Sequence, residues 1–346
     1  MKMNIKEAKT ILRKAVEENR TDLKFFLYGA PGVGKTQIIT ELANEFNLQL
    51  KVIRLAQVES IDLRGFPKIE NKTTVWNPPV FLPIEGRDTG RGILFLDEFN
   101  RAPDDVQNAA MQVLDRYIGE YRISKDWFVW AAGNPAEGAF KVKALDPAVI
   151  SRFIKLEIQP NVQVFLEYCK ERKLNPLIQG FLNWRPDLLY QPPTKKDEPF
   201  PCPRTWEYAN KLLQIYLEEP SLSSLLTGAL GDAVGMEFYG FIQIKNKLPN
   251  IEDILKGKIK LEALDTGVLW FIASYVVGKV SENPKKNHQL LKIIHMELTS
   301  NDTKLREIGV ATLAMLPEDP EIITLPEITA IFENPEFEYL RDILSK

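Results

Sequence analysis

The chain has little cysteine and almost no histidine. In 346 residues, Cys169 and Cys202 are the only cysteines, and His288 and His295 the only histidines. Two cysteines without ligand spacing argue against a disulfide scaffold or a thiolate metal site, and they suit a reducing compartment. Two histidines with no acidic or cysteine partner at ligand spacing argue against a histidine-based metal centre. Net charge is also scarce: 44 basic against 47 acidic residues leave a formal −3. That balance points to neither nucleic acid nor an anionic membrane as partner, while leaving a local basic patch open. No apolar run approaches the roughly 20 residues that span a bilayer. The stretch Met1-Lys2-Met3-Asn4-Ile5-Lys6-Glu7 lacks the apolar centre of a signal peptide. The expectation is a cytoplasmic protein without a membrane span.

What the chain does have is the octet Gly29-Ala30-Pro31-Gly32-Val33-Gly34-Lys35-Thr36, directly after the apolar run 25–28. Its spacing is that of a phosphate-binding loop, G-x-x-x-x-G-K-[ST]. Gly29 and Gly34 permit backbone conformations that turn successive N–H groups toward an anion. Lys35 is placed for the β- and γ-phosphates and the Thr36 hydroxyl for Mg²⁺. Residues 37–43 are helix-compatible, so a helix N-terminus would face the phosphates.

The surrounding pattern is that of an α/β domain. Residues 4–19 space Ile5, Ala8, Ile11, Leu12, Ala15 and Val16 on one helical face. Strands are expected at 25–28, 49–55, 92–96, 127–132 and 153–158, alternating with helices, of which 103–118 begins with Pro103 in its first turn. The segment Asp62–Pro83, rich in turn formers, suggests a hairpin or loop inserted on that core. From about Pro160 helical periodicity takes over. Residues 191–203 carry five prolines among thirteen, a stretch no helix crosses. Helices are expected at 204–218 and 222–243, and residues 246–346 also look helical. No repeat or low-complexity tract is present.

Asp97 and Glu98 follow the apolar strand 92–96 at its carboxyl end, where open α/β sheets bind ligands. Asp97 suits the Mg²⁺ shell, and Glu98 suits orientation and deprotonation of an attacking water. Coupled to a phosphate loop about 60 residues upstream, the pair points to hydrolysis of the nucleotide rather than to transfer.

These motifs make the chain resemble an AAA+ ATPase of the MoxR-like and dynein-related group. The run Leu96-Asp97-Glu98-Phe99-Asn100-Arg101-Ala102-Pro103 is similar to that group's second nucleotide motif, and residues 106–114 continue the likeness. Ala131-Ala132-Gly133-Asn134-Pro135 resembles the sensor-1 strand, residues 146–153 the arginine-finger segment, and Pro203-Arg204-Thr205 the sensor-2 segment. The resemblance covers roughly residues 20–245 and implies a fold of one α/β core at 1–159, with five parallel strands in the order 5-1-4-3-2. An all-α lid at 160–245 and a helical extension at 246–346 would follow.

The resemblance also implies roles. Asn134 would hold the water or the γ-phosphate, Arg204 would touch the γ-phosphate from the lid, and Arg152 would reach the nucleotide of a neighbouring subunit. ATP and Mg²⁺ are the implied ligands, and a homo-hexameric ring the implied assembly. Groups of this kind often work beside von Willebrand-type partners, so a protein client or such a partner is implied.

Other readings stay open at this point. Asn134 also suits a turn before Pro135, Arg152 a pairing with Asp146 or Glu157, and Arg204 a helix start. Arg101 and Arg116 are expected at an interface or in solvent. Phe66 and Trp76 of the insertion would face substrate or simply pack. A nucleic-acid motor or loader using ATP or GTP, and a nucleotide-gated scaffold with little turnover, are the alternative functions.

Overall fold

The computed structural model describes residues 2–135, 142, 144–337 and 340–341. It divides into two compact units. One comprises Met1–Asn161 with Pro192–Lys196, the other Val162–Gln191 with Asp197–Lys346.

In chain order the first unit reads β1 (Lys2–Met3), α1 (Ile5–Glu17), β2 (Phe25–Gly29), α2 (Lys35–Glu45), β3 (Gln49–Arg54), α3 (Ser60–Arg64), β4 (Phe66–Glu70), β5 (Thr73–Asn77), β6 (Gly92–Asp97), α4 (Asp104–Leu114), β7 (Tyr117–Ile118), β8 (Tyr121–Arg122), β9 (Trp127–Gly133), α5 (Pro147–Ile150) and β10 (Ile154–Ile158). Six strands form one parallel sheet in the order β1-β10-β2-β9-β6-β3. Five of them fall on the expected segments. The sixth, β1, is an addition: Lys2 and Met3 pair with Glu157 and Ile158 before Asn4 caps α1. Two residues are too few to show a period of two, which is why the pattern of residues 4–19 hides them.

β6 and β9 are buried on both faces, as central strands of a parallel sheet should be. Leu94, Leu96, Val129 and Ala131 share one buried cluster with Val106, Ala109, Ala110 and Val113 of α4. α1 and α2 pack together, and α2 also meets β6 and β3. The expected helix 103–118 is shorter than its pattern. Pro103 is the residue before the first turn (φ −56°, ψ 154°), not within it, and Tyr117–Ile118 leave the helix to pair with Tyr121–Arg122. The inserted segment does contain a hairpin, β4 against β5 with Phe66 opposite Asn77 and Glu70 opposite Thr73. Almost all of it is exposed.

The second unit is helical: α6 (Val162–Glu171), α7 (Pro176–Trp184), α8 (Pro203–Tyr216), α9 (Leu222–Leu230), α10 (Asp232–Gln243), α11 (Ile251–Leu255), α12 (Thr266–Glu282), α13 (Pro284–Asn287), α14 (Leu291–Leu298), α15 (Thr303–Met315), α16 (Pro320–Ile323) and α17 (Pro326–Glu333). One buried cluster runs from Phe165 to Leu340. The continuous helix expected over 222–243 is broken. Gly231 takes φ 85°, a value an L side chain rarely adopts, and separates α9 from α10. Apolar residues on both sides of that glycine keep the helical period, so the break is invisible to periodicity.

Candidate nucleotide site

The octet forms the turn between β2 and α2. Gly34 stands immediately before α2 with φ 96°, a left-handed conformation that glycine adopts without the Cβ penalty. The chain therefore enters α2 with its first, unpaired N–H groups at the loop, a ready-made anion cradle.

Lys35 is the first residue of α2 and its side chain is buried. Its Nζ donates to the carbonyls of Gly29 (2.6 Å) and Ala30 (2.9 Å) and to Asn134 Oδ1 (3.0 Å). Buried ammonium groups are stable only when paired in this way. Thr36 Oγ1 donates to Asp97 Oδ2 at 2.8 Å, and Asp97 Oδ1 accepts the Glu98 N–H at 2.8 Å. The sheet explains the meeting. Gly29, Asp97 and Gly133 end β2, β6 and β9, and parallel pairing through Tyr28 and Gly133 brings their carboxyl ends together.

Glu98 itself adopts a left-handed backbone (φ 55°, ψ 35°) and lies 3.4 Å from the Arg101 guanidinium. A non-glycine residue held in that region marks a place where the surroundings over-determine the backbone.

These residues fit a magnesium nucleotide. The Thr36 hydroxyl and the Asp97 carboxylate are hard oxygen donors already within 2.8 Å of each other. Mg²⁺ characteristically takes one or two protein oxygens and completes its shell with water and substrate phosphates. Among the described residues no group of three or more His, Cys, Asp or Glu could hold a metal by itself. A cation here would therefore draw its remaining ligands from the nucleotide and water.

The octet, Asp97 and Asn134 thus converge, with Glu98 next to Asp97 in the chain, and Arg152 does not join them within one chain. Ile154 pairs with Phe25 and donates its N–H to Lys24 O, so Arg152 stands at the amino ends of the strands. Gly29 lies four residues further along β2, about 13 Å at 3.3 Å per residue. The Arg152 side chain instead meets Asp115 (Nε–Oδ1 3.2 Å) and the Ala148 carbonyl (2.7 Å). Asp115 is a partner that the local sequence did not suggest in place of Asp146 or Glu157. Arg204 belongs to the second unit, exposed in the first turn of α8.

Residues 24–153 match the family model described as the AAA domain, dynein-related subfamily. This segment is an AAA domain. The chain is 28% identical over 183 residues to replication factor C subunit 3 of Saccharomyces cerevisiae, a match covering 52% of the chain and 47% of the relative. It is 31% identical over 159 residues to midasin of Dictyostelium discoideum, covering 42% of the chain and 2% of that protein. The chain thus spans about half of the first relative and a small fraction of the second. Among solved structures, a RuvB point mutant of Thermotoga maritima aligns with TM-score 0.41 and 16% identity, over 75% of this chain and 77% of that one.

Within the AAA domain two residues gain structural roles. Arg116, expected at an interface or in solvent, is a strut. Its Nη1 donates to the carbonyls of Ser124 (2.8 Å) and Trp127 (2.7 Å), and its Nη2 to Thr21. Burial lowers its pKa from the ordinary guanidinium value, opposed by Asp22. Asn100, which sequence reasoning placed in a motif without a role, is buried against Asn134. The signal for both lies in carbonyls and amides distant in sequence, so no spacing rule exposes it.

Proposed function

We propose that this protein hydrolyses ATP with Mg²⁺ at an intersubunit site of an AAA+ ring, and couples turnover to remodelling of a protein partner. The observation that carries the reading is the Thr36–Asp97 hydrogen bond at 2.8 Å with Glu98 next in the chain. One hydroxyl and one carboxylate lie together where we assign the cation, and Glu98, the next residue, is the one we assign to water. When bound, Mg²⁺ would supply charge neutralisation at the phosphates.

The chain's own residues do the rest. The loop N–H groups and Lys35 bind the phosphates, Lys35 exchanging carbonyl partners for phosphate oxygens. Asn134, released from Lys35 in that exchange, orients water through its amide. Glu98 takes the proton from that water as it attacks, and the γ-phosphoryl leaves the β-phosphate oxygen. Arg152, held away from its own loop, is assigned to a neighbour's nucleotide. Its place at the amino ends of the strands supports a role in trans, and so a ring. We assign Arg204 to sensing the γ-phosphate, residues 160–245 to a lid, and residues 246–346 to an extension. The exposed β4–β5 hairpin, with Phe66 62% exposed, supports contact with a client. Among the described residues no helix is long and apolar enough to cross a membrane.

The test is Glu98→Gln. ATP binding should persist while turnover drops by about 10²- to 10⁴-fold, the usual contribution of a positioned base. Hydrolysis by the variant at the wild-type rate would sink the assignment. Stimulation of the wild-type protein by DNA, falling steeply with salt, would instead favour a nucleic-acid client.

A further inference from the structure

Two buried asparagines join the ends of β6 and β9. Asn100 is 2% exposed and sits in the short turn Phe99–Arg101 that follows Glu98. Its Nδ2 donates to the Asn134 carbonyl at 2.7 Å, and its Oδ1 accepts the Asn134 N–H at 3.1 Å. The Asn134 side chain in turn accepts Lys35 Nζ at 3.0 Å. We propose that Asn100 is a positioning residue for hydrolysis: it locks the turn carrying Glu98 to the backbone of Asn134, so that the base and the water-orienting amide shift together. This rests on the ATPase reading above.

The chemistry of the contact favours asparagine specifically. Asn134 stands one residue past β9, so its backbone N–H and C=O need partners outside the strand. A carboxamide offers a donor and an acceptor in one plane, and so takes both groups of that residue at once. Aspartate lacks the donor, serine has a single oxygen, and glutamine is one methylene too long for the same pocket. The pocket is tight: a Cβ on Gly133 would lie 2.6 Å from Asn100 Oδ1 and 2.7 Å from Phe26 Cζ. A side-chain-free residue at 133 is what lets the carboxamide reach the strand end.

The other end of the lock is equally fixed. Phe99 sits edge-on to Phe26 and Phe153, with ring centroids 6.2 and 5.8 Å away. The packing of Phe99 and the bonds of the Asn100 carboxamide thus hold the turn that follows the left-handed backbone of Glu98. A bare structural role for Asn100 predicts loss of stability alone. The positioning role predicts that binding and turnover separate.

The experiment compares the full-length wild-type chain with Asn100→Asp and Asn100→Ala. It measures steady-state ATP turnover, titration with a fluorescent ATP analogue, thermal unfolding, and amide exchange with and without a non-hydrolysable ATP analogue. In Asn100→Asp, which keeps the side-chain shape and one acceptor, analogue affinity should stay within about threefold. Its kcat should fall about 10- to 100-fold, the scale of a misplacement of about 1 Å. In the wild-type protein the analogue should raise protection at 98–101 and 131–135 together; in Asn100→Asp it should do so at 131–135 alone. A folded Asn100→Asp with kcat within about twofold of wild type overturns the proposal, and so do the two segments still responding together. If the wild-type chain fails to turn ATP over, the ATPase reading falls on its own account. The lock is then judged without nucleotide: Asn100→Ala must lose protection at 131–135, and unchanged protection overturns it. Should Asn100→Ala not fold, Asn100→Asp carries the same comparison through the lost donor to the Asn134 carbonyl.

Discussion

Two buried ionisable side chains, one in each unit, are accommodated in opposite ways. In the AAA unit, Lys35 is enclosed yet its ammonium donates to oxygens of Gly29, Ala30 and Asn134, and the Asn100 carboxamide pairs with the Asn134 backbone. In the helical unit, Glu297 on α14 is fully buried and neither carboxyl oxygen has a hydrogen-bond partner among the described residues. Its polar neighbour, Thr312, donates its own hydroxyl proton to the Ile308 carbonyl at 2.7 Å. Burial pushes the Glu297 carboxyl up from 4.5 to about 8, so the folded unit keeps it protonated at neutral pH. The contrast separates two uses of burial. Paired groups can exchange a protein partner for a ligand at little net cost. An unpaired carboxyl ties folding to its proton, and serves no ligand that the structure suggests.

Four substitutions would break or sharpen that contrast. Lys35→Ala should have the largest effect. Losing two charge-assisted contacts at about 1.5–3 kcal/mol each weakens ATP binding at least about 100-fold, and calorimetric titration would show it. The stability of the helical unit should not change.

Arg116→Met should cost the AAA unit about 1–3 kcal/mol, since carbonyls of Thr21, Ser124 and Trp127 lose their donor. Denaturant unfolding followed in that unit reads the loss, and an unchanged midpoint would contradict the strut.

Glu297→Gln concerns the other unit. The folded pKa lies above the ordinary value, so the stability Glu297 contributes is present below pH 4.5 and is lost as pH rises through about 8. Wild-type thermal unfolding of this unit should therefore fall across that window, and the variant should flatten the slope. A wild-type profile without that fall would show the carboxyl to be solvated. The smallest effect belongs to Arg101→Ala. Its contact with Glu98 at 3.4 Å is exposed, so stability should move by less than about 1 kcal/mol.

The phosphate loop, the strand-end carboxylates and the alternation of strands were legible because each is local. An apolar run such as Ile93–Leu96 followed by Asp97 and Glu98 carries its meaning in consecutive residues. Elements that rest on distant partners were not legible. β1 exists because residues 157 and 158 offer it an edge, and Tyr117–Ile118 leave α4 because Tyr121–Arg122 fold back on them. Gly231 interrupts a helical period that its neighbours continue. The bonds of Arg116 were hidden for the same reason, since an arginine bonded to carbonyls across the fold looks in sequence like any surface arginine.

The sequence by itself determined which residues the proposal assigns to the site: Lys35 and Thr36 to phosphates and cation, Asp97 and Glu98 to cation and water. Short-range spacing specifies such groups because loop and helix geometry repeat from protein to protein. Tertiary structure decided which of these groups touch. The parallel register set Thr36 on Asp97 and Asn134 on Lys35. It placed Arg152 at the other end of the strands and locked Asn100 onto Asn134. Those contacts join residues up to 99 positions apart, and only the pairing of strands across the sheet brings such distant side chains within hydrogen-bond reach.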